Sequence, residues 1–111
     1  PLPLPCPGSS RSTEDDPRLS PLLDMLYPMS QTDGLSWDEF QRAFAADQSP
    51  EALEFRIDIY RPEEDSWPVQ VLRGCYHPQT GTPYLLFQDG QLRPVPQMPR
   101  TAWGFQNNCF Q

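Results

Sequence analysis

The chain has 111 residues, a net charge of −7 and a pI near 4.4, which bounds it to one acidic domain. Such a surface repels phosphate backbones and anionic membranes, and no two basic residues are adjacent, so nucleic-acid binding through a basic patch is disfavoured. A hydrophobic content of 37% with 12% aromatics excludes a wholly disordered chain, and no apolar run approaches the ~18 residues of a membrane-spanning helix.

Residues 1–18, PLPLPCPGSSRSTEDDPR, form a leader by composition. The prolines at 1, 3, 5 and 7 repeat every second residue, so they do not line one face of a polyproline II helix. This segment is expected to be a disordered Pro/Ser/acidic tail, with residues 19–111 as a single small domain. Ser12 and Thr13 each have an acid three residues on, Asp15 and Asp16, the pattern an acidophilic kinase selects.

Ser20-Pro21 opens a short helix, with Ser20 as N-cap and Pro21 at the first helical position. Leu22, Leu23, Met25 and Leu26 supply its apolar side, and Pro28 is expected to end it. Gln31 to Gly34 then turn the chain. Ser36-Trp37-Asp38-Glu39 is a capping box, flanked by Leu35 and Phe40 as a hydrophobic staple, and it predicts a second helix over about 37–47.

After Pro50 the apolar period changes from 3.6 to 2. Leu53, Phe55, Ile57 and Ile59 alternate with Glu54, Arg56, Asp58 and Tyr60, a half-buried strand. Val69, Val71 and Cys75 continue the alternation on a second strand over about 68–76, and residues 84–87 form a third. Asp89-Gly90 predicts a type I′ hairpin with Phe87 facing Leu92. Pro94 and Pro96 place the fourth strand at a sheet edge, and Trp103 and Phe105 are expected to fold back onto the core. The fold class predicted is α+β: two short N-terminal helices packed on a three- or four-stranded antiparallel sheet.

The three cysteines, Cys6, Cys75 and Cys109, are odd in number and widely spaced, which is not a secreted disulfide framework. Free thiols in a reducing, cytoplasmic compartment are the expectation. No metal or cofactor is expected, because His77, the only histidine, stands in no recognisable ligand set. Residues 33–40 resemble the exit of an EF-hand, but Glu39 stands five rather than six residues after Gly34, and the capping box explains the same residues.

Cys109 and His77 are the one nucleophile–base pair the chain permits. Asn107-Asn108-Cys109 resembles the Asn-Cys motif of the H-box/NC acyltransferase family, which implies a cysteine hydrolase or acyltransferase. In that family the cysteine opens a helix that lowers its pKa, whereas only two residues follow Cys109.

Phe110-Gln111 looks like the end left by a picornaviral 3C-type protease, which cuts after glutamine. With the lysine-free composition and the leader Pro1 to Pro7, it resembles the leader proteins of kobuviruses. That resemblance implies a non-protease released from a polyprotein after Gln111, acting in host cytoplasm through viral or host proteins and linked to RNA replication and encapsidation. It identifies no catalytic or binding residue. The reading of function is therefore a non-enzymatic, monomeric protein-interaction domain, with the cysteine enzyme and a cellular adaptor as alternatives. Tyr60, Arg61, Trp67 and Tyr76 are the candidate contact residues, because alternation and loop position put them off the core stripe and such types dominate binding hot spots.

Overall fold

A six-stranded mixed sheet organises the chain, in a computed structural model that describes residues 7–64 and 66–96. The elements run β1 (Gly8–Thr13), α1 (Ser20–Ser30), β2 (Leu35–Ser36), α2 (Trp37–Gln41), a 3₁₀ turn (Pro50–Leu53), β3 (Glu54–Tyr60), β4 (Gln70–Tyr76), β5 (Pro83–Leu86) and β6 (Gln91–Pro94). The strand order is β1-β3-β4-β5-β6-β2, with β1 parallel to β3 and every other pair antiparallel.

This corrects the predicted fold class. The sheet has six strands, not three or four, and it is mixed rather than antiparallel. Both added strands lie at edges and lack an apolar stripe, so periodicity does not reveal them. β1 falls within the segment expected to be a disordered leader. It pairs in register with β3 from Gly8↔Phe55 to Thr13↔Tyr60, and none of its side chains is fully buried. Backbone pairing holds it, to which side-chain composition is blind. β2 is two residues long and pairs Leu35↔Leu92 and Ser36↔Gln91. β6 is therefore covered by β2 rather than lying at the edge, and Pro94 avoids conflict because it stands beyond that short pairing.

Strand alternation and this register define two faces. On one, Phe55, Ile57, Ile59, Leu72, Tyr76 and Leu85 form a core with Leu19, Leu22 and Met29 of the α1 region and with Val95. Each such side chain contributes about 1.5–3 kcal/mol on leaving water. On the other face a smaller cluster joins Cys75 and Leu92 to Phe40 of α2, flanked by Leu35, Trp37, Phe44 and Tyr84. The two helices thus lie on opposite faces, and α2 lies over the β5–β6–β2 half of its own, reaching β4 at Cys75.

α1 departs from expectation at both ends. Ser20 is its first helical residue, and Leu19 takes the cap position without a side-chain bond. Asp16 shapes the entry instead, its carboxylate accepting the Arg18 backbone N–H at 2.9 Å. The helix also runs through Pro28 to Ser30, and its last turn closes by tighter bonds: Gln31 N–H donates to the Pro28 carbonyl and Thr32 N–H to that of Met29. α2 starts where the capping box predicts, with the Ser36 hydroxyl accepting from Glu39 N–H at 3.2 Å. It stops at Gln41, short of 47, because the N–H groups of residues 42–44 bond three residues back and carry Phe44 alongside Phe40, 5.9 Å between rings.

The hairpin after β5 is also not the type I′ turn. Gly90 alone has positive φ, at 80°, and its N–H donates to the Phe87 carbonyl. That geometry is a type I turn closed by a glycine bulge. The bulge shifts the register by one residue, so Leu86 rather than Phe87 faces Leu92. Arg93 locks the hairpin from beneath. It is 4% exposed, grips Asp89 with two bonds of 3.1 and 2.7 Å, and donates through Nε to the Thr32 carbonyl at 2.8 Å.

Candidate binding face

The face that α2 shares is covered only in part. Over β1, β3 and the Gln70–Arg73 stretch of β4 its side chains stay exposed or half-buried, whereas Cys75 at the far end of β4 is covered by Phe40 of α2 and by the 3₁₀ turn. The register lines up rows of side chains there: Ser9, Arg56 and Arg73; then Arg11, Asp58 and Val71; then Thr13 and Tyr60. One step beyond Gly74↔Leu85, the first row continues into Leu86, then Leu92 and Leu35. Val71 is 37% exposed, Leu86 46% and Val69, just before β4, 45%, so apolar surface stays open among the arginines.

Three arginines against one aspartate make these rows locally positive in a chain of net charge −7. Asp58 binds one of them, accepting from Arg56 Nη2 at 3.0 Å. Arg56 Nε is shielded from water and has no hydrogen-bond partner among the described residues. Arg73, directly opposite Arg56, forms no ion pair among the described residues. Like charges directly opposed on a sheet repel, so this pair is tolerated rather than stabilising. Arg11 lies 4.0 Å over the Tyr60 ring.

Where the first row meets α2 there is a groove of about 520 Å³. Trp37 and Leu92 stand on its α2 side, Arg56, Arg73 and Leu86 along the sheet, with Glu54 beside Arg56 on β3 and Glu51 on the 3₁₀ turn. Cys75 also lines it, but burial, with Glu54 adding, pushes this thiol up to about 11. It therefore stays protonated and is a poor nucleophile at neutral pH.

The sequence-derived candidates fare unevenly. Tyr60 is half-buried on the open face beneath Arg11. Arg61 is exposed at its border, in a bridge with Glu64, and Trp67 is 77% exposed. Tyr76 is corrected: it is 1% exposed, packs against Phe55 at 5.1 Å between rings, and belongs to the core, where burial pushes its phenol up. The cause is one register step. Leu72 and Tyr76 face α1, while Val69 and Val71 face outward and Cys75 lies under α2. Arg11, Arg56 and Arg73 were missed as a group. Alternation along β3 marks Arg56 as outward, but only the pairing brings the other two beside it.

Ser12 and Thr13 lie on β1 and are partly buried. The acids that would attract a kinase are already engaged with their hydroxyls: Ser12 donates to Asp16 at 3.1 Å and Thr13 to Asp15 at 2.7 Å. His77 packs edge-on against Phe40 at 5.8 Å and beside Tyr84, and its Nδ1 accepts the Gln79 N–H at 3.2 Å. Cys6, Asn107, Asn108, Cys109, Gln111, Trp103 and Phe105 lie outside the described residues. Among the described residues no cluster of three or more His, Cys, Asp or Glu is placed to hold a metal ion, and no helix is long and apolar enough to cross a membrane.

In comparisons with known proteins, no family model matches the chain, and no curated protein and no solved structure matches it.

Proposed function

We propose that the chain is a non-enzymatic protein-interaction domain that binds an anionic segment of a partner through the uncovered half of its sheet. The observation that carries this reading is the row of Arg56 and Arg73 beside Arg11 and Val71 on the open face, positive and partly apolar in an otherwise acidic protein. Arginine with exposed aromatic and aliphatic neighbours is the composition of binding hot spots, and opposite charge steers encounter. In the setting implied by the resemblance to kobuvirus leader proteins, the domain acts as a monomer in host cytoplasm. Its partner is then a host or viral protein serving RNA replication or encapsidation. A cellular adaptor would use the same face.

The alternative of a Cys109–His77 enzyme has less to draw on. His77 is held by Phe40 and Tyr84, and one of its two ring nitrogens is already occupied by Gln79.

The reading is tested by amide chemical-shift mapping of the full chain with a short Glu/Leu peptide. Shifts should concentrate at residues 9–13, 56–60 and 71–73 and vanish in Arg73→Glu. Shifts confined to α1, or their persistence in that variant, would sink it.

A further inference from the structure

Resting on that reading, we propose that the groove beside α2 takes the C-terminal residue of a partner peptide, with its free carboxylate on Arg56 and Arg73 and an apolar side chain against Trp37, Leu86 and Leu92.

The order of groups along the groove sets the orientation. From the β1 edge inward the row runs Ser9, Arg56, Arg73, Leu86 and Leu92, and Trp37 of α2 stands at the inner end. A last residue whose Cα stands over the join of β4 and β5, with the preceding chain rising to solvent, has the arginines on one side and the apolar residues on the other. An extended chain that continued inward would run into α2, which packs on this face through Phe40 over Cys75 and Leu92. A segment that ends there meets no obstacle. Its last side chain fills the apolar end and its terminal carboxylate falls over the arginines.

The donors match a carboxylate. Two guanidiniums stand on directly paired residues: Arg73 is exposed and forms no ion pair among the described residues, and Arg56 gives one N–H to Asp58 while its side chain stays 43% exposed. Arginine binds carboxylates through parallel N–H bonds, and a carboxylate placed between the two relieves their mutual repulsion. Glu51 and Glu54, which also line the groove, limit how much negative charge it accepts. One carboxylate is favoured over a doubly charged phosphate. The volume of about 520 Å³ is that of a small-ligand site, enough for one or two residues rather than a long segment.

The test is fluorescence polarisation of the full chain with the peptide Gly-Ser-Gly-Ser-Val-Leu, its N-terminal amine capped by the fluorophore through an amide bond. It is used as the free acid and as the C-terminal amide, alongside an amidated peptide with an internal Glu-Leu. The free acid should bind about tenfold or more tightly than its amide, as expected for charge-assisted bonds to arginine. Arg73→Met should weaken the acid to the level of the amide and leave the amide unchanged, with Arg73→Lys between them. The thermal midpoint of each variant reports folding. Equal binding of acid and amide, or equal binding of the internal-acid peptide, overturns the terminal-carboxylate proposal while the interaction reading stands. Failure of all three peptides, with no shift at the open face, overturns both.

Discussion

The ring of Phe55 sits on the bare Cα of Gly74, its cross-strand partner. A Cβ at position 74 would come 2.5 Å from the Phe55 ring and closer still to the Tyr84 carbonyl oxygen. The absence of a side chain lets β4 lie between a large aromatic ring and the backbone of β5. The same contact fixes which residues of β4 face α1, and hence which arginine reaches the open face.

Gly74→Ala should therefore destabilise the protein by about 3 kcal/mol, the upper end of overpacking, because the Tyr84 backbone oxygen has no rotamer by which to withdraw. Urea denaturation measures it. A midpoint within error of the parent would show that β4 and β5 can separate without loss.

The register of β4 makes a second prediction. Leu72 is 7% exposed and faces α1, so Leu72→Ala should cost roughly 2–5 kcal/mol. Val71→Ala, on the open face, should stay within about 0.5 kcal/mol. Paired denaturation curves decide, and the reverse order would mean that the strand is displaced by one residue.

Both predictions concern the strand on which sequence reasoning fails, and the reason is physical. β3 was legible because Phe55, Ile57 and Ile59 all face one core while Glu54, Arg56 and Asp58 face water or charge. β4 has no dry side and wet side. Leu72 and Tyr76 enter the α1 core, Cys75 enters the α2 cluster, and Val71 is apolar yet exposed. Alternation then supports either register, and Tyr76 falls on the wrong face. The Ser36 cap was legible because it needs only residues three apart, whereas β1 and β2 are defined by distant backbone partners. The open face inherits that difficulty, since Arg11, Arg56 and Arg73 are neighbours only through the pairing of three strands.

α2 is short enough for its cap to matter. Ser36→Ala removes the acceptor for the Glu39 N–H and should cost about 0.5–2 kcal/mol. The loss should also loosen the packing of Trp37 on Phe40, which lie 5.8 Å apart, and so reduce the near-UV circular dichroism. An unchanged near-UV spectrum together with an unchanged midpoint would show that α2 is held by its aromatic contacts alone.

Acid should weaken the junction between β1 and α1 first. The Arg18 guanidinium, bound to both oxygens of Asp16, is the main cause that lowers this carboxyl from 3.8 to about 2, with the Arg18 backbone N–H and the Ser12 hydroxyl adding to it against the cost of burial. A folded-state pKa below the unfolded one means that the unfolded chain binds the proton first. The stability contributed by Asp16 is thus fully present above about pH 4 and is lost as pH falls toward 2. Asp89, held low by Arg93, changes in the same direction. Asp16→Asn should lower the urea midpoint at pH 7 and flatten its decline between pH 4 and 2, leaving the smaller slope due to Asp89 and other carboxylates. In the parent, amide exchange at residues 9–13 should accelerate across this window before that of β3 and β4, because β1 buries no side chain fully and depends on its ends. A variant whose pH profile runs parallel to that of the parent would show that the Asp16–Arg18 pair forms equally well in the unfolded chain.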